Sequence, residues 1–188
     1  MKGEWNTFIN STTQSESDKN IARAYSAMLE WIIITEYRGG CHDTSAALHM
    51  LLSESGIANK LCIGEVKTGD KYFDHSWIEI DNFIYDAAIC MPMHGGKYHD
   101  PVFKSHNLET GKKTELGYGL HSPSGFDETT RWLANTTLEQ YTAGDPGGKN
   151  KLWKLTQLIG KKLKMDLDPK SLRAKYKNTK REIRSESL

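Results

Sequence analysis

A chain of 188 residues with 37% hydrophobic and 26% charged residues can bury a core of its own, and a formal net charge of only +1 excludes an overall bias toward nucleic acid or membrane. Three cysteines, Cys41, Cys62 and Cys90, are an odd number without dense spacing, which argues against a disulfide framework and lacks the CxxC pairing of a structural zinc site. No apolar run at the N-terminus could serve as a signal-peptide core, and the most apolar stretch, 28–35, is short and interrupted by Glu30, so a cytoplasmic chain without a membrane span is expected.

The first periodic segment is 18–37, where Ile21, Tyr25, Met28, Leu29, Ile32 and Ile33 recur at helical spacing and Ser17 or Asp18 can cap the start. Arg38-Gly39-Gly40 breaks the pattern. A second helix is predicted over 41–55, with Ala46, Ala47, Met50 and Leu51 facing the core and Gly56 as its left-handed cap. The period then changes to two. Strands are predicted over 60–67 and 73–80, and the Asp81-Asn82 turn returns the chain along 83–86. Residues 91–124 give no firm period and read as long loops or short strands. A third helix is predicted over 126–141, closed by the turn residues 144–148.

Beyond that turn the charge changes sign. Residues 149–184 carry 13 Lys and Arg against three acidic residues, or +10, whereas residues 1–148 sum to −8. Leu152, Leu155, Leu158, Ile159 and Leu163 form an apolar stripe on a basic helix, Asp168-Pro169 starts another that runs to Tyr176, and the last dozen residues are expected to fray. The expected organisation is an α+β domain over 1–148 and a basic helical segment over 149–188.

The chemistry concentrates in 39–88. A thiol becomes a useful nucleophile when its pKa is depressed, and a helix N-terminus beside an imidazole does this. Cys41 opens a helix directly after two glycines. His75, early in a strand, can be laid across that N-terminus. A third group must accept the other ring N–H, and Asp86 on the returning strand falls near the level of His75. Asp74 and Asp81 compete for that role. Asp74, however, neighbours His75 and points to the opposite face, and Asp81 is turn chemistry.

The segments GGCHDTSAALHMLLSESGIANKLCIGEV and HSWIEIDNFIYDAA resemble the core of the transglutaminase-like superfamily. The family pattern is a Cys opening a helix, a Gly-Ile step into a strand, His-x-Trp-x-Glu, and Asp on the next strand. Here these are Cys41, Gly56-Ile57, His75-Ser76-Trp77-Ile78-Glu79 and Asp86. The resemblance implies a papain-like thiol enzyme acting on a peptide or protein amide, with Cys41 as nucleophile, His75 as base and acid, and Asp86 orienting it. Such an enzyme forms a thioester and passes the acyl group to water or to an amine. One departure stands out: papain-type enzymes carry a Gln before the Cys, and 34–37 has neither Gln nor Asn. An inactive transglutaminase-like binding or scaffold module is the alternative.

Trp77 reads as a packing residue beside the site or as a substrate platform. His42 and His49 read as solvent or core histidines. His94, His99 and His106 are irregularly spaced, so neither a metal site nor a cofactor is expected. The basic segment reads as complementing the acidic body, with an anionic partner as the other possibility.

Overall fold

The two expected helices and the hairpin after them follow one another in the folded chain, with one further helix ahead of them. In the computed structural model, which describes residues 2–185, helices α1 (Gly3–Ser11), α2 (Glu16–Ile34) and α3 (Cys41–Glu54) precede strands β1 (Lys60–Thr68), β2 (Lys71–Ile80) and β3 (Phe83–Tyr85). Short strands β4 (Val102–Phe103), β5 (His106–Asn107) and β6 (Gly117–Leu120) come from the aperiodic stretch. Helices α4 (Glu128–Asn135), α5 (Leu138–Ala143), α6 (Lys151–Lys162) and α7 (Pro169–Tyr176) follow, and β7 (Glu182–Arg184) ends the series.

The sheet runs β3-β2-β1-β6 with antiparallel neighbours, and β7 adds to β1 in parallel. Its tight turn is Asp81-Asn82, with φ of 51° and 64°; residues with short polar side chains tolerate this left-handed pair. Helix α3 is buried almost all round, from Asp43 through Leu48 and from Met50 to Leu52, because it lies between the sheet and helices α2 and α6. Its C-terminal end closes at Gly56 (φ 75°), which takes the left-handed conformation expected there. This is an α+β fold in which the helix that begins with Cys41 packs on the strand that carries His75.

Four expectations change. Helix α1 was not anticipated, although Trp5 and Ile9 bury one of its faces to 3% and 2% exposure. Helix α2 begins two residues early, because Ser15 rather than Ser17 or Asp18 is the cap and forms a reciprocal box with Asp18. The single helix expected over 126–141 is two, because Thr137 and Gln140 form a second capping box that starts α5 afresh. The C-terminal residues do not fray through 185. Strand β7 is held by its ladder to β1 and by the Arg184–Glu79 ion pair at 2.7 Å; residues 186–188 lie outside the described residues.

The segment after residue 148 docks by part of its apolar stripe. Leu152 and Ile159, joined by Trp153, are fully buried in the same core as Met28 and Leu51, whereas Leu158, expected on the stripe, is 49% exposed because it lies on the outer side of α6. Its cations meet carboxylates of the preceding body: Lys162 with Glu30, Lys175 with Glu54, and Arg173 with Glu139. Among the described residues, no helix is long and apolar enough to cross a membrane. Since Ile159 fills space against α3, Ile159→Ala should cost roughly 2–5 kcal/mol in urea unfolding. A loss below about 1 kcal/mol would mean that α6 is an accessory to the core rather than part of it.

Candidate functional site

Cys41 is the first residue of α3, and the turn before it is shaped by close packing. The Tyr37 ring lies over Gly40 so tightly that a Cβ there would sit 2.1 Å from Tyr37 Cε1. Tyr37 then donates a short hydrogen bond from its hydroxyl to Asp43 Oδ2, while Asp43 also accepts from Tyr141 Oη at 2.6 Å and from Lys151 Nζ at 2.8 Å. Burial opposes ionisation of Asp43, but Lys151 and the two phenols outweigh it and hold the carboxyl below its usual range. The first turn of α3 is thereby tied to α5 and α6. No side chain caps this helix, so the N–H groups of its first turn are left without an intrahelical partner.

His75 lies in β2 opposite Gly64 of β1 and is 6% exposed. Its Nε2 is 2.7 Å from Asp86 Oδ2. Continuing the β2–β3 register past Tyr85 would set Asp86 opposite Trp77, one diagonal step from His75. Asp86 leaves that ladder and exchanges backbone hydrogen bonds with Val102 at 2.8 and 3.0 Å. The carboxylate accepts three more hydrogen bonds: Tyr118 Oη at 2.8 Å, and the backbone N–H groups of Ala88 and Ile89, both at 3.1 Å. With Nε2 occupied, Nδ1 is the ring nitrogen left for the thiol.

Burial acts against a charged imidazole at His75, yet the Asp86 carboxylate and Cys41 outweigh it and raise the ring to about 10. Burial acts likewise against a thiolate at Cys41, and the imidazoles of His42 and His75 overcome it, holding the thiol well below its usual range. The other two thiols behave oppositely. Burial pushes Cys62 and Cys90 up to about 12, with nearby carboxylates adding to the effect. The arrangement favours a thiolate beside an imidazolium at Cys41 alone.

The structure thus brings Cys41, His75 and Asp86 together. Trp77 is 1% exposed, packs edge-on against Tyr118 and donates its indole N–H to Glu79 at 3.0 Å, so it offers no open face to a ligand. Asp74 accepts from the Asp127 backbone instead of touching His75, and Asp81 occupies the turn. His49 pairs with Asn59, His99 stacks on Phe73, and His106 meets the Lys104 carbonyl. Among the described residues, no group of three His, Cys, Asp or Glu is placed to hold a metal ion. His42 is more than a solvent or core histidine, since it faces the thiol. Tyr118 and the Asp43 cluster gave no local signal: each is assembled from residues far apart in the chain.

Residues 7–92 match a family model described as the Transglutaminase-like superfamily, a span that includes Cys41, His75 and Asp86 but none of β6, α5, α6 or β7. No curated protein and no solved structure matches the chain.

The raised His75 pKa has a stability consequence of definite sign. A group whose folded pKa, about 10, exceeds its ordinary 6.5 stabilises in full below 6.5, and that contribution is lost as pH rises through about 10. Asp86→Asn removes the carboxylate that keeps the ring charged. Its penalty in urea unfolding should therefore be largest near pH 6 and shrink as the pH rises toward 10; a penalty that stays constant or grows would contradict the buried ion pair.

Proposed function

We propose that this chain, whose residues 7–92 match the Transglutaminase-like superfamily model, is a thiol enzyme that opens an amide or acyl bond through Cys41, His75 and Asp86. The observation that carries this reading is the contrast among three thiols. Only Cys41 stands at a helix N-terminus between two imidazoles, and only its thiol is held low.

In this reading the Cys41 thiolate attacks the carbonyl carbon of a peptide or protein amide, forming a C–S bond and placing negative charge on the carbonyl oxygen. The uncapped first-turn N–H groups of α3 are the donors available to that oxygen. They could take over the part that a Gln plays in papain-type enzymes. His75 gives its proton to the departing amine as the C–N bond breaks, leaving a thioester on Cys41. The neutral imidazole then takes a proton from water or from a second amine, which attacks the thioester and releases the acid or a new amide. Asp86 keeps the ring oriented and favours its charged form throughout.

Two experiments bear on this. At pH 6, iodoacetamide should modify Cys41 before Cys62 and Cys90 in the folded protein, as read by peptide mass spectrometry. Equal rates at all three would remove the basis of the reading. Against a panel of amide and thioester substrates, offered with and without an amine acceptor, Cys41→Ala and His75→Ala should abolish turnover without unfolding the chain. Asp86→Asn should retain a small residue, on the order of one part in ten thousand. A folded Cys41→Ala protein with undiminished turnover would make the chain something other than a Cys41 enzyme.

A further inference from the structure

Arg181, one residue before β7, is 3% exposed. The chain around it is pinned on both sides. Leu138 and Glu139 donate their N–H groups to the carbonyls of Thr179 and Lys177 at 2.9 and 3.0 Å, and β7 ladders onto β1 from Glu182 onward. The side chain therefore has one direction to take. Its guanidinium stacks over the Tyr141 ring, with Cζ 4.7 Å from the centroid, and Nη2 donates to the His42 carbonyl at 3.4 Å.

Nothing else among the described residues satisfies this cation. Arg181 Nε and Nη1 are buried without a hydrogen-bond partner, and so is His42 Nδ1. The carboxylate closest in the network, Asp43, is already committed to Tyr37, Tyr141 and Lys151. A buried guanidinium cannot shed its proton, and leaving one unneutralised is costly. One anion remains nearby: the thiolate of Cys41, the residue preceding the carbonyl that Arg181 touches. Burial pushes the Arg181 guanidinium below its usual range, and Tyr141, Cys41 and Asp43 act against that.

We propose that Arg181, delivered by the C-terminal arm, is the positioning cation of the site, and that its permanent charge holds Cys41 as a thiolate. The groups facing that thiolate are then His42 from α3, His75 from β2 and Arg181 from the arm, with Asp86 and Asp43 one step further out. The charges of His75 and Arg181 differ in kind. His75 surrenders its charge when it protonates the leaving group, whereas Arg181 never does. In the neutral thioester Arg181 has lost its anion, so its charge favours the step that regenerates the thiolate.

This inference deepens the thiol-enzyme reading and rests on it only for the role of Cys41. The test is the pH dependence of Cys41 alkylation by iodoacetamide in the full-length protein, wild type against Arg181→Met, Arg181→Gln and Arg181→Lys, with folding checked by urea unfolding. The acid limb of the rate profile should move up by about one unit in the Met and Gln variants and stay within about 0.3 unit in Lys, which restores the charge. Gln, which can still donate to the His42 carbonyl, carries the test if Met does not fold. An acid limb unmoved in folded Met or Gln protein overturns the proposal, as does an equal rise in Lys, which would mean that packing rather than charge is at work. A limb that moves as expected in a protein that turns over no acyl substrate would keep this proposal and reject the enzyme reading.

Discussion

The buried carboxylate of Asp86 is the point on which the rest of the structure depends. At 2% exposure it has little water to solvate its charge, so the fold must supply donors, and it supplies four: His75, Tyr118 and two backbone N–H groups. Satisfying them fixes the end of β3, the turn that follows, the approach of β6 and the ring of His75. The imidazole has one nitrogen engaged and is held in its charged form, and Cys41 meets the other side of that charge. Position and protonation state thus have a common origin.

A second constraint keeps the thiol in place. The N-terminus of α3 could not present Cys41 reliably if its first turn frayed, and Asp43 prevents this by gathering donors from three parts of the chain. Lys151 and Tyr141 lie outside the span that matches the superfamily, as do Tyr118 and Arg181. Cys41, His75 and Asp86 lie inside the matched span, and the groups that brace and charge them come from the part of the chain that follows it. The basic segment is better understood in this light. Five of its thirteen Lys and Arg, Lys151, Lys162, Arg173, Lys175 and Arg184, pair with Asp43, Glu30, Glu139, Glu54 and Glu79 of the preceding body.

What could be read from sequence was what is local. Helices α2 and α3, the β1–β2–β3 meander and its Asp81-Asn82 turn follow from periodicity and turn chemistry within short windows, and so does the start of α7 at Asp168-Pro169. Cys41 and His75 sit on those elements, but Asp86, expected on the returning strand, lies one residue past the end of β3 and bridges to Val102, so the meander's spacing suggests the grouping without giving the contact that holds it. Helix α1 was missed because its apolar residues are few, and only tertiary contact buries Trp5 and Ile9. Strand β7 has just three residues, and its partner lies more than a hundred positions earlier. Arg181 shows the same limit most clearly. It sits in a run of basic residues and looks like any solvated charge until the fold seals it over Tyr141.

The central claim is that Cys41 and His75 rest as a thiolate–imidazolium pair. Its most direct test is the nitrogen NMR spectrum of the His75 ring, in protein labelled with ¹⁵N at histidine and assigned through His75→Gln. At pH 7.5, above the ordinary histidine range, both ring nitrogens should show the shifts of a protonated imidazolium, and replacing Cys41 by Ser should return the ring toward the neutral form. A neutral His75 ring at that pH in the wild type, unaffected by loss of the thiol, would contradict the account.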